Sequence, residues 1–135
     1  MHFQTPDFAQ AKLVRCLRGR IMDVAVDVRR GSPTFGRFVS VELTADRGNQ
    51  LYIPVGFAHG FITLEADTEV FYKVTAFHAP ECDAGIRFDD PDVAIPWPVP
   101  PDRVVLSPKD RTLPLLRDFV SPFGYDGEPL SLTEL

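Results

Sequence analysis

The sequence predicts an all-β protein, a sandwich or a barrel, with at least six short strands. Its apolar segments are short and are separated by 13 prolines and 9 glycines spread along 135 residues. Within these segments apolar and polar residues alternate, which is typical of strands with one buried face. The segments follow one another at intervals of about ten residues, a spacing typical of sandwiches and barrels. A chain of this length fits one domain.

The predicted strands can be followed along the chain. The first lies in "KLVRCLRG" and the second in "RIMDVAVDVRR". In the second, Val24, Val26 and Val28 recur with period two and are expected to face the core. The segment "RFVSVELTAD" repeats the pattern, "NQLYIPVGFAHGFITLEA" supplies two strands around a Pro/Gly turn, and "TEVFYKVTAF" supplies another.

The chain changes character at Pro91. The stretch "PDVAIPWPVPPDRVVLSPKD" is too rich in proline for a helix or a central strand and is expected to wrap the sheet as an ordered loop. The following "SPKDRTLPLLRDFV" predicts a short helix of one or two turns. The side chains expected to dock it are Leu113, Leu115, Leu116 and Phe119. We expect a single barrel domain over residues 1–120 and a loosely tied tail over residues 121–135.

Composition excludes several classes of protein. Hydrophobic residues make up 44% and charged residues 24%, which is ordinary globular usage. No apolar run approaches the ~20 residues that span a bilayer, and nothing resembles a secretory signal. The formal net charge of −5 argues against nucleic-acid binding. Since neither a membrane span nor a signal is predicted, we expect a cytoplasmic protein. Cys16 and Cys82 show no CxxC spacing and are interpreted as small buried or half-buried thiols.

One histidine lies in a recognisable motif. Gly48, Pro54, Gly56 and His59 match G-x5-P-x-G-x2-H, the second motif of the cupin barrels. Metal-binding cupins add an H-x-H cluster, which is absent here, and Thr63 occupies the position of a later asparagine. We therefore expect no metal. His59 is either a hydrogen-bonded histidine of the barrel interior or a metal-free participant near a substrate.

Longer segments resemble one family. They are "HFQTPDFAQAKLVR", "GRIMDVAVDVRRGSPTFGRFVSVELTAD", "QLYIPVGFAHGF", "FYKVT", "APE…GIRFDDPDVAIPWP" and "LSPKD", in order from His2 to about Leu116. They resemble the dTDP-4-dehydrorhamnose 3,5-epimerases, which are cupin-type jelly-roll β-barrels. The resemblance implies epimerisation at C3 and C5 of a dTDP-linked 4-keto-6-deoxyhexose, no metal or organic cofactor, and a homodimer.

The resemblance also implies catalytic roles. His2 matches the base, and Asp110 of "SPKD" matches its carboxylate partner. Lys12 matches a lysine near the C4 oxygen of the sugar, where a positive charge stabilises an enolate. Tyr72 of "FYKVT" matches the acid on the other face of the ring.

Four further residues are expected to contact substrate. His59 matches the family's inner-barrel histidine, and Lys109 matches a contact to the nucleotide phosphates. Gln4 belongs to the same motif as His2. His78 stands where the family commonly has the second of two tyrosines, so it is either a determinant of which carbon is epimerised or a surface histidine.

The residues taken alone leave other interpretations open. Asp110 also fits the N-cap of the predicted short helix. Tyr72 on an alternating strand fits a core aromatic residue with a satisfied hydroxyl. Lys12 and Lys109 fit ordinary solvated lysines.

The sequence departs from the family pattern at its beginning. The family motif R-G-L-H-[FY]-Q is present only from Met1, and the upstream residues that grip the nucleotide, some in strands exchanged between subunits, are missing. We expect a start placed too late, a naturally short homologue with an altered substrate, or an inactive remnant. The alternative functions are therefore a C3-only epimerase or ketoisomerase of nucleotide sugars, and a non-catalytic sugar-binding cupin.

Overall fold

The computed structural model describes residues 1–127, and nearly all of its regular structure is strand. The strands are β1 (His2–Gln4), β2 (Lys12–Arg18), β3 (Arg20–Asp27), β4 (Phe38–Thr44), β5 (Gln50–Ile53), β6 (Phe57–Thr63), β7 (Glu69–Val74) and β8 (Asp83–Gly85). They form a five-stranded sheet in the order β4-β3-β6-β1-β8 and a three-stranded sheet in the order β5-β2-β7, with antiparallel pairing throughout. The predicted all-β jelly-roll architecture is confirmed.

Strands β1 and β8 are not among the strands that alternation predicts. Each has three residues, too few to show a period of two. They pair with each other in the register His2↔Gly85 and Gln4↔Asp83, and β1 also pairs with β6 through His2↔His59. The pairing thus places His2 between the two neighbouring strands.

The large sheet is buried on both faces at its strand β3. One face meets the small sheet across a core of Val14, Cys16, Ile21, Ala25, Leu43, Leu51, Ile53 and Phe57. The other face carries Val24, Val26 and Val28, which are buried as predicted. Their core, however, lies beneath the C-terminal part of the chain, which contributes Val93, Ile95, Leu116 and Phe123. Strand β3 therefore buries both of its faces.

The proline-rich segment crosses the outer face of the large sheet as an ordered loop, as predicted. Buried Asp90 fixes its course, since its carboxylate accepts hydrogen bonds from the backbone of Asp92, Val93 and Leu116. The Leu116 contact measures 2.6 Å and joins the loop to a later part of the chain. One carboxylate thus holds two segments of the covering layer together.

The prediction of a short C-terminal helix is wrong. Its residues form two separate three-residue 3-10 turns, Asp110–Thr112 and Leu116–Asp118. Pro114 lies between them, in an extended stretch where a proline is tolerated but a helix is not. Of the expected docking residues only Leu116 is fully buried. Among residues 1–127 no helix is long and apolar enough to cross a membrane.

The segment that follows Val120 is attached more firmly than the expected loose tail over its first residues. Phe123 packs in the outer core, and Ser121 is buried. The backbone pairs with Arg30, whose N–H donates to Phe123 and whose carbonyl accepts from Tyr125. The expected tail extends to residue 135, and its last part, residues 128–135, lies outside the described residues.

Candidate active site

One cavity of about 710 Å³ opens between the sheets. The large sheet contributes His2 and His59, and the small sheet contributes Lys12 and Tyr72. Its lining comprises Met1, His2, Lys12, His59, Gly60, Phe61, Ile62, Thr63, Tyr72, Phe88, Trp97, Val99, Arg103, Val104, Val105, Leu106, Asp110 and Leu113. Four residues predicted as catalytic and one predicted to bind substrate therefore share one cavity.

Strand register explains this convergence. His2 and His59 are directly paired across β1 and β6, and His59 is paired with Ala25 of the inner core across β6 and β3. Paired residues project to the same face of a sheet, so both imidazoles point between the sheets. In the small sheet Tyr72 is paired with Val14, two residues from Lys12, so Tyr72 and Lys12 also face inward.

His2 and Asp110 form a close pair although 108 positions separate them. Nε2 of His2 lies 2.5 Å from Oδ1 of Asp110. The other carboxylate oxygen accepts a 2.7 Å hydrogen bond from the Ser107 hydroxyl. The N-cap position of the turn is Lys109, not Asp110, so the carboxylate is directed to His2 and Ser107 instead of capping the turn.

The environment favours a neutral imidazole beside an ionised carboxylate. Burial lowers the pKa of His2 below its ordinary value. Burial by itself raises the pKa of Asp110, but hydrogen bonds from Ser107 and His2 outweigh it and leave that pKa below the usual value. An ionised carboxylate only accepts hydrogen bonds, so Nε2 of neutral His2 carries the proton and donates a hydrogen bond to Asp110.

His59 and Asp23 form a second pair, which is fully buried. Nε2 of His59 lies 2.6 Å from Oδ1 of Asp23, and the His59 ring lies 6.1 Å from that of Phe61. Lys12 belongs to the same neighbourhood: burial lowers its pKa, and the charge of Asp23 opposes that shift. Tyr72 is 52% exposed, so it is a cavity-wall phenol and not a core aromatic residue.

Three residues predicted to bind substrate lie outside the cavity lining. The Lys109 ammonium is paired with the Asp83 carboxylate. The side chain of Gln4 is buried, donates to the carbonyls of Phe8 and Phe77, and accepts from the backbone N–H of Ala79. The ring of His78 lies 3.1 Å from the same amide, at Oε1. Gln4 therefore ties the β1 end to two loops.

The assembled site can be compared with known proteins. A family model described as dTDP-4-dehydrorhamnose 3,5-epimerase matches residues 1–118. The chain belongs to this family. The match includes every predicted site residue, from His2 to Asp110.

Individual members of the epimerase family are similar to the chain in sequence and in structure. The chain is 54% identical over 125 residues to dTDP-4-dehydrorhamnose 3,5-epimerase of Sinorhizobium fredii, covering 93% of this chain and 64% of that protein. It is 46% identical, with a TM-score of 0.81, to dTDP-6-deoxy-D-glucose-3,5-epimerase of Legionella pneumophila in complex with dTDP-4-keto-L-rhamnose, covering 86% and 61%. It is 37% identical, with a TM-score of 0.77, to a 3′-monoepimerase of Streptomyces bikiniensis in complex with dTDP-quinovose, covering 86% and 58%. The chain thus spans less than two thirds of each.

Two acidic residues of this epimerase-family site escaped the sequence analysis. Asp23 lies on the same face of β3 as Ile21 and Ala25, and a charge among such buried neighbours is a usable signal for a buried pair. Asp83 had no such signal, because β8 is only three residues long. Both contact a histidine of the cavity.

The cavity is enclosed on one side by the proline-rich loop. The rings of Phe88 and Trp97 lie 6.4 Å apart, and the Trp97 indole donates to the Phe88 carbonyl. Arg103 adds a cation to this wall. Among residues 1–127 no group of three or more His, Cys, Asp or Glu side chains is arranged to hold a metal ion.

Proposed function

We propose that this chain epimerises a dTDP-linked 4-keto-6-deoxyhexose at C3 and C5, converting dTDP-4-dehydro-6-deoxy-D-glucose to dTDP-4-dehydro-L-rhamnose. The observation that carries the proposal is the close His2–Asp110 pair in a cavity that Lys12 and Tyr72 also line. The names of the relatives support the substrate class. The cavity volume also falls within the ~300–1,000 Å³ common for ligand sites.

Each group has a defined part in the proposed reaction. A carbon beside a ketone loses its proton to a base, the electron pair moves into an enolate, and a proton returns to the opposite face. His2 is the proposed base, and Asp110 stabilises the imidazolium that forms. Lys12 stabilises the enolate oxygen, and the Tyr72 phenol supplies the returning proton from the small sheet.

The other predicted residues have supporting parts in this proposal. His59, held by Asp23, orients the sugar at the inner end of the cavity. Gln4 and His78 act from outside the lining by fixing the chain next to β1. The resemblance assigns Lys109 to the nucleotide phosphates, although here its ammonium is paired with Asp83.

We further propose that the chain acts as a homodimer in the cytoplasm. The outer face of the small sheet exposes Tyr52 and Phe71, on the same side as Leu13, and such apolar surface is typical of a contact site. Cys16 and Cys82 are free thiols, which supports a reducing compartment.

Solvent-deuterium incorporation tests the proposed reaction directly. In D₂O, dTDP-4-dehydro-6-deoxy-D-glucose incubated with this chain should gain deuterium at both C3 and C5. Proton NMR measures this gain as loss of the two proton signals. Exchange at C3 alone would select the monoepimerase function, which the similarity to the Streptomyces bikiniensis enzyme favours as second candidate. Absence of exchange at both carbons would contradict catalysis by this chain.

Replacement of Lys12 tests the stabilisation of the enolate. Lys12→Met should lower the exchange rate about 10²–10³-fold, the loss typical when one group stabilising an oxyanion is removed. The control is Arg47→Met, because Arg47 is an exposed cation in the turn between β4 and β5 and lies outside the cavity lining. Equal exchange rates in the two variants would contradict the role of Lys12.

A further inference from the structure

The ring of His2 lies between two carboxylates, and only one of them belongs to the base dyad. Nε2 contacts Asp110 at 2.5 Å, while Nδ1 lies 3.5 Å from Oδ1 of Asp83. Asp83 reaches this place because β8 pairs it with Gln4, two residues from His2 on the same face of β1. Each ring nitrogen therefore has an acidic neighbour.

Lys109 engages the second carboxylate from its other side. Its ammonium is paired with Oδ2 of Asp83, while Oδ1 of that residue faces His2. Lys109 precedes Asp110 directly, so one loop delivers both the partner of His2 and the partner of Asp83. The Asp83 carboxylate thus lies between the Lys109 ammonium and the His2 ring, whose other nitrogen contacts Asp110.

The distances matter because a base needs a free lone pair. An imidazole bonded to carboxylates at both nitrogens is held as the imidazolium and cannot accept a proton. The 3.5 Å separation at Nδ1 exceeds the 2.7–3.2 Å of ordinary N–H···O hydrogen bonds. Since Nε2 is committed to Asp110, Nδ1 is the nitrogen that remains available.

We propose that Lys109 is a positioning residue, which restrains the Asp83 carboxylate and so keeps Nδ1 of His2 free to accept the substrate proton. This inference rests on the proposed function. In the step, the C–H bond breaks, its electrons enter the enolate, and a new N–H bond forms at Nδ1 while Nε2–H stays on Asp110. Without Lys109, Asp83 turns to Nδ1 and stabilises the protonated ring.

The test must separate the effect of Lys109 and Asp83 from that of the other titratable groups around the His2 ring. Those other groups are Asp110 on the loop, His59 on β6 and the α-amino group of Met1. Only Lys109 and Asp83 are changed in the test, singly and together. Arg111→Met is the control, because Arg111 is an exposed cation on the same loop.

NMR titration of the His2 imidazole gives the decisive measurement. Lys109→Met should raise the pKa of His2 by about one unit, as expected for a carboxylate that moves into contact. Lys109→Met combined with Asp83→Asn should return the pKa to near its wild-type value, and Lys109→Arg and Arg111→Met should leave it unchanged. At a pH below the His2 pKa of both wild type and Lys109→Met, the exchange rate of Lys109→Met should be about tenfold lower than that of wild type. The double variant should recover the wild-type rate.

A role for Lys109 in binding phosphate gives the opposite pattern. KM would rise in Lys109→Met, Asp83→Asn would not reverse the rise, and the pKa of His2 would stay at its wild-type value; that result would overturn the inference. An unchanged pKa with no change in KM would overturn it equally. The NMR titration needs no turnover, so failure of this inference is distinguishable from a wild-type chain that exchanges nothing.

Discussion

His2→Ala should lower the rate of deuterium exchange at both C3 and C5 by about 10²–10⁴-fold, the usual contribution of a positioned general base. The loss should appear in kcat at saturating substrate, because the imidazole acts on the proton being transferred. The measurement is the NMR exchange assay in D₂O on wild type and variant. Free imidazole should restore part of the rate, since the substitution leaves space beside Asp110.

The wild-type pH profile provides a second measure of the same base. Only neutral His2 accepts a proton, so exchange should rise with pH as His2 deprotonates. Because burial lowers its pKa, the midpoint of the rise should lie below the ordinary histidine pKa of about 6.5. Exchange that stays at the wild-type rate in His2→Ala, with a normal unfolding temperature, would contradict the assignment of the base.

The fold was predictable wherever alternation extends over six or more residues. The periodic valines of β3 were correctly predicted to be buried, and the proline-rich loop was correctly predicted to cover the sheet. Alternation does not show that the opposite parity of β3 is buried too. That parity holds Ile21 and Ala25 together with Asp23 and Asp27, and both carboxylates are buried. His59, a distant residue, bonds one oxygen of Asp23, and Arg29 and nearby hydroxyls bond Asp27.

The predicted helix does not form, because Pro114 interrupts the apolar spacing that predicts it. Leu113, Leu115, Leu116 and Phe119 fit a helical face only if Pro114 is tolerated inside it. In the structure Leu116 donates its backbone N–H to Asp90, so the chain is held by a tertiary contact and not by helical hydrogen bonds. Such a partner, 26 residues away, leaves no local signal.

Family motifs pointed to more of the residues that line the cavity than local patterns did. His2 and Asp110 lie at opposite ends of the matched region, and nothing in the spacing of residues alone brings them together. The motifs identified groups that meet in the cavity, such as Lys12 and Tyr72. They did not reveal Asp83, which depends on the pairing of two three-residue strands.

Asp27→Ala should lower the free energy of unfolding by about 3–5 kcal/mol, because it leaves a buried guanidinium without its counter-ion. The Asp27 carboxylate accepts from the backbone N–H, Nε and Nη2 of Arg29 and from the hydroxyls of Ser32 and Thr34, at 2.6–2.9 Å. Rings of Phe57 and Tyr125 lie 4.8 and 5.1 Å from the Arg29 guanidinium carbon. Urea unfolding measures the loss.

The chain contains a matched control for this pair. Arg87 and Asp89 make the same two-point contact, at 2.9 and 2.7 Å, on the surface. Asp89→Ala should therefore cost only about 0.2–1 kcal/mol, as exposed pairs do. Similar losses in Asp27→Ala and Asp89→Ala would show that burial of the Asp27–Arg29 pair has no energetic consequence.

The pH dependence of unfolding, compared between wild type and Asp27→Ala, should show whether the Asp27 carboxylate is responsible for the stabilisation. Burial alone raises the pKa of Asp27, but the hydrogen bonds from Arg29, Ser32 and Thr34 outweigh it and hold the pKa below its usual value. A depressed pKa stabilises the folded chain above the unfolded value of about 3.9, and this stabilisation is lost as pH falls through the folded pKa. The difference in unfolding free energy between wild type and Asp27→Ala should thus be constant above pH of about 5 and shrink below pH of about 4. A difference independent of pH down to the acid transition would mean that Asp27 acts through packing and not through its charge.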